Sequence, residues 1–459
     1  MSSIRASSSS LLVLAIPIAA IMVAAATLIT SSTIMTVLQC RRHRKKRRDV
    51  SCSSTIAYES LIGNTPMVKL QGLSNITKRN ILVKMESLNP GGTGKDRAAL
   101  AMITNAEASG ELPTPSPILS TTAGIDHNYN NSNTGNNPLH DTKSSSDAVI
   151  AMELLIHNAM RTSRTGGLVV EGTSGSTGIS LATLCTARGH ACLVVLPDDQ
   201  ADEKTRILTA LGAVVHVVPT ASISNPQHYV NVARDIAEVA RTRFHIKASF
   251  INQFENEANF HIHYTTTGPE LYQQCPQLDA FCMSSGTGGT IAGVGQYLLS
   301  RKPNIRIVLV DPPGSALYNR ITHGIVYAPQ QSERSLKKHR YDTIAEGIGL
   351  DRMTRNFQLG LDSIQYAIRV SDQEAVDMAH YLLHHEGLWV GSSSSMNVVG
   401  AIKTALQLPE GATVVTVICD SGNRHVTRFW NRDFIDEWGL VWPGGDGNER
   451  LPECLQSLC

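Results

Sequence analysis

Short apolar runs alternate with stretches of helical periodicity from residue 81 to residue 418, and this alternation constrains the fold more than any other feature. Seven runs have the length and composition of strands, at 81–85, 168–171, 192–196, 214–218, 280–283, 306–310 and 414–418. Five segments have helical periodicity, at 96–108, 179–188, 203–211, 226–241 and 373–384. Strands that alternate with helices favour βαβ units, so the sequence predicts an α/β fold with largely parallel sheets.

Residues 11–38 form an uncharged segment rich in Leu, Ile, Ala and Val, and a basic cluster follows at 41–48. A bilayer core requires about 20 apolar residues in a helix, so residues 1–50 are predicted to be a membrane anchor with a transmembrane helix. The positive-inside rule then places the rest of the chain on the cytosolic side. A cleaved mitochondrial presequence is the alternative, although 28 uncharged residues lack the charged face of an amphipathic presequence.

Charge and cysteine usage argue against two functional classes. Eight of the 40 Lys and Arg residues lie in 1–48, so the rest of the chain carries 32 basic and 39 acidic residues. That net charge of −7 gives no electrostatic case for binding nucleic acid. The nine cysteines show no CxxC pair and no Cys/His metal spacing, so we expect reduced thiols and no metal site.

Two segments break the globular pattern. Residues 113–146 are rich in Pro, Asn, Ser, Thr and Gly and are predicted to be a disordered surface insertion. Residues 444–459 are predicted to be a loose C-terminal tail, in which Cys454 and Cys459 could pair but are better interpreted as exposed. The domain that carries the function is therefore expected at 51–443.

Three turns rich in Gly, Ser and Thr each follow a predicted strand and open a helix, at 89–97 (NPGGTGKDR), 171–178 (EGTSGSTG) and 284–290 (SSGTGGT). Helix N-termini present free N–H groups and a positive dipole end to anions, and glycine lets the backbone approach them closely. Any one of them could be only a tight turn. Lys95 lies in a first helical turn, where the dipole favours the neutral amine needed for covalent chemistry at a carbonyl, although most lysines are simply solvated.

Further motifs occur in a fixed order, namely 61–68 (LIGNTPMV), Lys204 with 211–213 (LGA), 252–254 (NQF), 266–270 (TTGPE), 346–349 (EGIG) and 419–423 (CDSGN). With the three turns, they resemble the cysteine synthase and cystathionine β-synthase family of fold-type II pyridoxal-phosphate (PLP) enzymes. The resemblance covers residues 58 to 438 apart from the insertion and is greatest to a fungal branch called cysteine synthase 2. It implies two α/β subdomains within 51–443, PLP as cofactor, a homodimer, and a location in the mitochondrial outer membrane.

The resemblance also implies a role for each turn. Lys95 would hold PLP covalently and later act as the base at the α-carbon of the substrate. The cofactor phosphate would lie among Gly286, Thr287, Gly288, Gly289 and Thr290, and Ser421 would face the pyridine nitrogen. The substrate carboxylate would be bound by Thr173, Ser174, Gly175, Ser176 and Thr177, with Gln253 closing over it, and Ser176 would also contact the cofactor.

The implied reaction is β-replacement, in which O-acetyl-L-serine and sulfide yield L-cysteine. The chain has Ser176 where the family usually has an asparagine that contacts PLP, and Ser395 where a glycine is usual. Because a hydrogen bond to a charged oxygen contributes ~1.5–3 kcal/mol, slower turnover is expected. A related β-replacement or β-elimination enzyme, such as a cystathionine β-synthase or serine dehydratase, remains an alternative. So does a weakly active, membrane-held PLP-binding protein.

Overall fold

The structure is a computed structural model that describes residues 57–115, 145–328, 343–444 and 452–456. The chain divides into Met1–Ala57 and Tyr58–Cys459, and every described helix and strand belongs to the second part. The predicted membrane segment at 11–38 and the basic cluster at 41–48 lie outside the described residues. Within the described ranges, none of the helices is long and apolar enough to cross a bilayer.

The described strands form two sheets. They are β1 (Met67–Lys69), β2 (Asn80–Met85), β3 (Gly167–Gly172), β4 (Ala191–Pro197), β5 (Val214–Val218), β6 (Lys247–Phe250), β7 (Ala280–Ser284), β8 (Arg306–Asp311), β9 (Tyr366–Arg369) and β10 (Thr413–Ile418). One sheet has the order β1-β2-β10-β7-β8-β9 and the other the order β5-β4-β3-β6. Only the β1–β2 pair among these is antiparallel, so the α/β prediction with largely parallel sheets is confirmed.

The described α-helices are Gln71–Thr77, Lys95–Ala108, Ser145–Met160, Ser176–Arg188, Asp202–Ala210, Tyr229–Phe244, Ala258–Ile262, Gly268–Gln274, Gly289–Arg301, Leu317–His323, Arg355–Leu359, Asp372–His385, Ser392–Leu406, Arg432–Glu437 and Glu453–Gln456. All seven predicted strands and all five predicted helices are confirmed to within about three residues at each end. The largest shifts, of three residues, are at Ser176–Arg188, predicted to start at 179, and at Tyr229–Phe244, predicted to start at 226. His228 caps that helix by accepting a hydrogen bond from the Val230 N–H at 3.1 Å.

Each sheet is covered by helices on both faces, which explains why its central strands are mostly apolar and buried along their whole length. In β3, Val169 packs in the core beneath helices Lys95–Ala108 and Ser176–Arg188. Its neighbours Leu168 and Val170 pack on the opposite face, beneath helices Ser145–Met160 and Tyr229–Phe244. All six residues of β3 are buried. The carboxyl ends of parallel strands carry the loops that bind ligands in such folds, and β3 and β7 both end at a predicted anion-binding turn.

Two predictions of loose structure are wrong in part. Ser145 and Ser146, assigned to the insertion, are the first residues of a helix, and 116–144 lies outside the described residues. The tail is exposed only in part at 452–456, where Glu453–Gln456 is helical, Pro452, Cys454 and Leu455 are buried, and Glu453 and Gln456 are exposed. Cys454 and Leu455 join the core of the larger sheet, because burying their apolar surface stabilises the docked segment.

Candidate active site

A cleft that is open to solvent lies at the carboxyl ends of the strands of both sheets. Its walls bring together seven of the predicted site residues, which are Lys95, Ser174, Ser176, Thr177, Gln253, Gly286 and Thr287. The other predicted residues do not line it, and these are Thr173, Gly175, Gly288, Gly289, Thr290 and Ser421. The first five belong to turns whose neighbours form the wall. At the end of β10, Cys419 and Asp420 reach the cleft and Ser421 does not.

The turn at 89–97 is fixed by hydrogen bonds among its own residues and with Arg424. Lys95 lies at the start of the helix that follows and lines the cleft. The Asp96 carboxylate accepts a hydrogen bond from the Gly91 N–H at 2.5 Å. Arg424 donates to the Gly91 carbonyl and covers Gly92, whose φ of +78° favours glycine. The turn is therefore fixed by groups other than the Lys95 amine.

Arg97 anchors the same helix in a buried charge cluster. Its guanidinium lies 2.8 Å from Glu86 and 2.6 Å from Glu270, and only 2% of its side chain is exposed. Burial acts to lower the pKa of Arg97, but the hydrogen bonds that Arg97 donates to Glu270 and Glu86 outweigh it and raise that pKa. Since removing one partner of a buried pair leaves an uncompensated charge, this cluster fixes the helix that carries Lys95.

The turn at 171–178, predicted to bind the substrate and called the substrate turn below, ends at helix Ser176–Arg188. The first N–H groups of that helix have no partner within the helix. Gly175 has φ of +124°, and a Cβ there would lie 2.4 Å from Cδ of Lys204, so this position requires glycine. Thr177 Oγ1 donates to Gln253 Oε1 at 2.5 Å, and Gln253 Nε2 donates to the Gly172 carbonyl at 3.3 Å. Gln253 is thus tied to both ends of the turn.

The third turn is packed so closely that side chains are excluded. A Cβ on Gly286 would lie 2.3 Å from the carbonyl oxygen of Gly347, and one on Gly289 would lie 2.3 Å from Asn259 Oδ1. Gly288 has φ of +87°, and Gly289 begins the helix Gly289–Arg301. The turn therefore presents bare backbone at the N-terminus of a 13-residue helix, an arrangement that binds anions.

Comparison with known proteins identifies the family. Residues 58–124 and 142–420 match the family model described as pyridoxal-phosphate dependent enzyme. The chain belongs to this family. "Cysteine synthase 2" of Schizosaccharomyces pombe is 41% identical over 386 residues, which cover 83% of this chain and 85% of the relative. "Putative mitochondrial cysteine synthase" of Saccharomyces cerevisiae is 42% identical, with coverage of 81% and 83%.

Solved structures of similar enzymes agree with this assignment. O-ureido-L-serine synthase aligns with a TM-score of 0.60 at 25% identity, covering 85% of this chain and 96% of that one. The O-acetylserine dependent cystathionine β-synthase from Helicobacter pylori aligns with a TM-score of 0.58 at 27% identity, covering 81% and 97%. The predicted fold-type II architecture and PLP as the cofactor are therefore confirmed.

The residues of this PLP-enzyme cleft fit the cofactor. The turn at 286–290 has the close-packed glycines and helix N-terminus that a phosphate needs, and Thr287 adds a hydroxyl on the wall. Lys95 lines the same cleft and supplies an amine. Ser284 ends β7 and Ser285 follows it, and each has a buried hydroxyl oxygen without a hydrogen-bond partner in the described part of the chain.

A buried chain of charges on the cleft wall was missed by sequence reasoning. Lys204 Nζ lies 2.7 Å from Glu346 Oε2, which lies 3.0 Å from His425 Nδ1, and His425 Nε2 lies 3.2 Å from Asp420 Oδ2. Lys204 and Glu346 are part of motifs noted in the sequence, but 142 residues separate them and nothing local predicts their pairing.

The neighbouring charges also determine the pKa values of Glu346 and His425. Burial acts to raise the pKa of Glu346, but Lys204 and His425 hold it well below its usual range. Burial acts to lower the pKa of His425, but Asp420 and Glu346 raise it to about 9. At neutral pH, cations and anions therefore alternate along this series of four side chains, so each buried charge is compensated.

The two departures from the family pattern lie in different environments. Ser176 lines the cleft, whereas Ser395 is fully buried and donates to the Ser392 carbonyl at 2.8 Å within its own helix. Ser393, two residues earlier, reaches the cleft instead. The serine at 395 is thus accommodated without contact with the cleft, and Ser176 is the departure that lines the cleft.

Proposed function

We propose that the chain is a cysteine synthase that makes L-cysteine from O-acetyl-L-serine and sulfide with PLP as cofactor. The observation that carries the proposal is that one cleft gathers an amine, an anion-binding turn for phosphate and a second anion-binding turn for a carboxylate. Relatives at 40–42% identity are named cysteine synthases, which supports the choice of reaction.

The residues that would hold PLP are Lys95, through its amine, and the turn Gly286, Thr287, Gly288, Gly289 and Thr290, through N–H groups and hydroxyls. Ser176 and Ser421 are proposed as further contacts, and Ser176 lines the cleft together with Cys419 and Asp420, the two residues before Ser421. When bound, PLP withdraws electrons from the α-carbon of an amino acid, which makes the α-proton acidic and the β-substituent a leaving group.

The chain supplies binding and proton transfer. The substrate carboxylate binds at the N-terminus of helix Ser176–Arg188, held by Thr173, Ser174, Gly175, Ser176 and Thr177, because an anion is favoured at the positive dipole end. Gln253, fixed by Thr177 and Gly172, covers that carboxylate and excludes water. Lys95, which lines the same cleft, removes the α-proton, acetate leaves, hydrosulfide adds at the β-carbon, and Lys95 returns the proton to the α-carbon to give L-cysteine.

The test is product formation by the purified protein. Given O-acetylserine and sulfide, it should release L-cysteine, and a Lys95→Ala variant should release none and retain no cofactor that borohydride fixes to the protein. Lys247→Ala, which changes an exposed lysine at the start of β6, is the matched control and should behave as the unmodified chain. Cofactor fixed normally in Lys95→Ala would contradict the assignment.

A second candidate is β-replacement with an amino-acid thiol as acceptor. It is favoured by the alignment with an O-acetylserine dependent cystathionine β-synthase. Replacing sulfide with homocysteine separates the two candidates. If the second is right, cystathionine should form from homocysteine faster than cysteine forms from sulfide.

We also propose that residues 11–38 anchor the enzyme in the mitochondrial outer membrane with its body in the cytosol. The uncharged run and the basic cluster at 41–48 support insertion and orientation, and the name of the Saccharomyces cerevisiae relative supports the organelle. Protease added to intact mitochondria should digest the body, and protection of the body would favour an imported, cleaved form.

We propose further that the body at 51–443 comprises two α/β subdomains, one for each sheet, and that it forms a homodimer. The separate hydrogen-bonded sheets support the first statement and the family resemblance supports the second. Light scattering on the protein without residues 1–50 measures its mass, and a monomer at micromolar concentration would contradict the dimer.

A further inference from the structure

Asn259 is 1% exposed and lies between the substrate turn at 171–178 and the turn at 284–290, which is called the phosphate turn below. Its side-chain amide donates to the Gln253 carbonyl at 2.9 Å and to Thr287 Oγ1 at 2.9 Å. An amide nitrogen has two hydrogens, so the two acceptors take one each. The same side chain packs against Gly289, where a Cβ would lie 2.3 Å from Asn259 Oδ1.

We propose that Asn259 is a positioning residue that couples amino-acid binding to cofactor binding, an inference that rests on the proposed function. On one side it fixes the backbone of Gln253, whose side chain holds Thr177. On the other side it sets the hydroxyl of Thr287. Because that oxygen accepts from Asn259, its own hydrogen remains available to donate into the cleft that Thr287 lines.

Asn356 and Thr354 each support only one of the two sides and serve as matched controls. Asn356 donates through Nδ2 to the carbonyls of Gln253 at 3.0 Å and Phe254 at 2.9 Å, so it supports the substrate side. Thr354 donates through Oγ1 to the Thr287 carbonyl at 2.6 Å, so it supports the phosphate side. Asn259 alone of these three bonds to both sides.

The experiment compares Asn259→Leu, Asn356→Leu and Thr354→Val with the unmodified enzyme. The dissociation constant of PLP is measured by equilibrium dialysis without substrate, and that of O-acetylserine by spectral titration of the loaded enzyme without sulfide. Asn259→Leu should weaken both by roughly tenfold, since Thr287 Oγ1 loses its donor and the Gln253 carbonyl keeps only the one from Asn356. Asn356→Leu should weaken only O-acetylserine, and Thr354→Val only PLP, each leaving the other constant within about twofold.

A change in only one constant, or in neither, for Asn259→Leu would overturn the coupling role. If that variant does not fold, Asn259→Asp keeps the size but cannot donate, and the same two losses are expected. Failure of the proposed function has a different signature, because the unmodified enzyme would then bind PLP without any response to O-acetylserine. In that case the PLP constants of the three variants still decide whether Asn259 sets Thr287.

Discussion

His425 offers the sharpest test of the buried charge chain. It is 3% exposed at its side chain and lies between Glu346 and Asp420. A pKa raised from 6.5 to about 9 corresponds to about 3 kcal/mol of stabilisation of the protonated native state, at ~1.4 kcal/mol per pH unit. Because the folded-state pKa is the higher one, this stabilisation is complete below about pH 6.5 and is lost as the pH rises through 9.

The perturbation is His425→Gln, which keeps a polar side chain but cannot carry the charge. The free energy of unfolding by urea is measured at pH 6, 7, 8 and 9 for PLP-loaded protein, with and without the substitution. The difference between the two proteins should shrink by about 3 kcal/mol from pH 6 to pH 9, since other titrating groups cancel in it. His157→Gln, an exposed histidine of helix Ser145–Met160, is the control and should give a constant difference. A difference that stays constant for His425→Gln would refute the reasoning.

Four further outcomes are expected. Ser176→Asn should raise turnover with O-acetylserine, roughly tenfold or more if one hydrogen bond to a charged oxygen is restored, and an unchanged or lower steady-state rate would contradict this. Burial raises the pKa of Glu171 to about 8, so the free energy of unfolding should fall as the pH rises from 4.5 to about 8. Glu171→Gln should remove this fall, which urea titration at several pH values measures. Leu455→Ala should cost about 2–5 kcal/mol in the same unfolding assay, whereas an exposed tail would give almost nothing. Replacing 116–144 by a short Gly/Ser linker should leave the melting temperature nearly unchanged, since loop closure changes by only ~1 kcal/mol, and a fall of many degrees would show that the segment packs on the body.

The sequence was informative wherever the signal is local. The continuous apolar runs of β3, β4 and β10 identify strands buried on both faces, and the glycines of the three turns identify helix N-termini that bind anions. Lys95 could be singled out because its turn precedes it directly in the chain. The short strands β1, β6 and β9 were missed, since three or four residues carry too little periodicity to be recognised.

Only the tertiary structure decided which distant groups meet. Lys204 pairs with Glu346 across 142 residues, and Asn259 joins Gln253 to Thr287, because separate strands end at the same cleft. The burial of Leu455 and the absence of Ser421 from the cleft wall likewise depend on packing. A residue type and its neighbours determine local backbone preference, but the free energy of an ion pair or a buried side chain depends on partners that the chain brings together only when it folds.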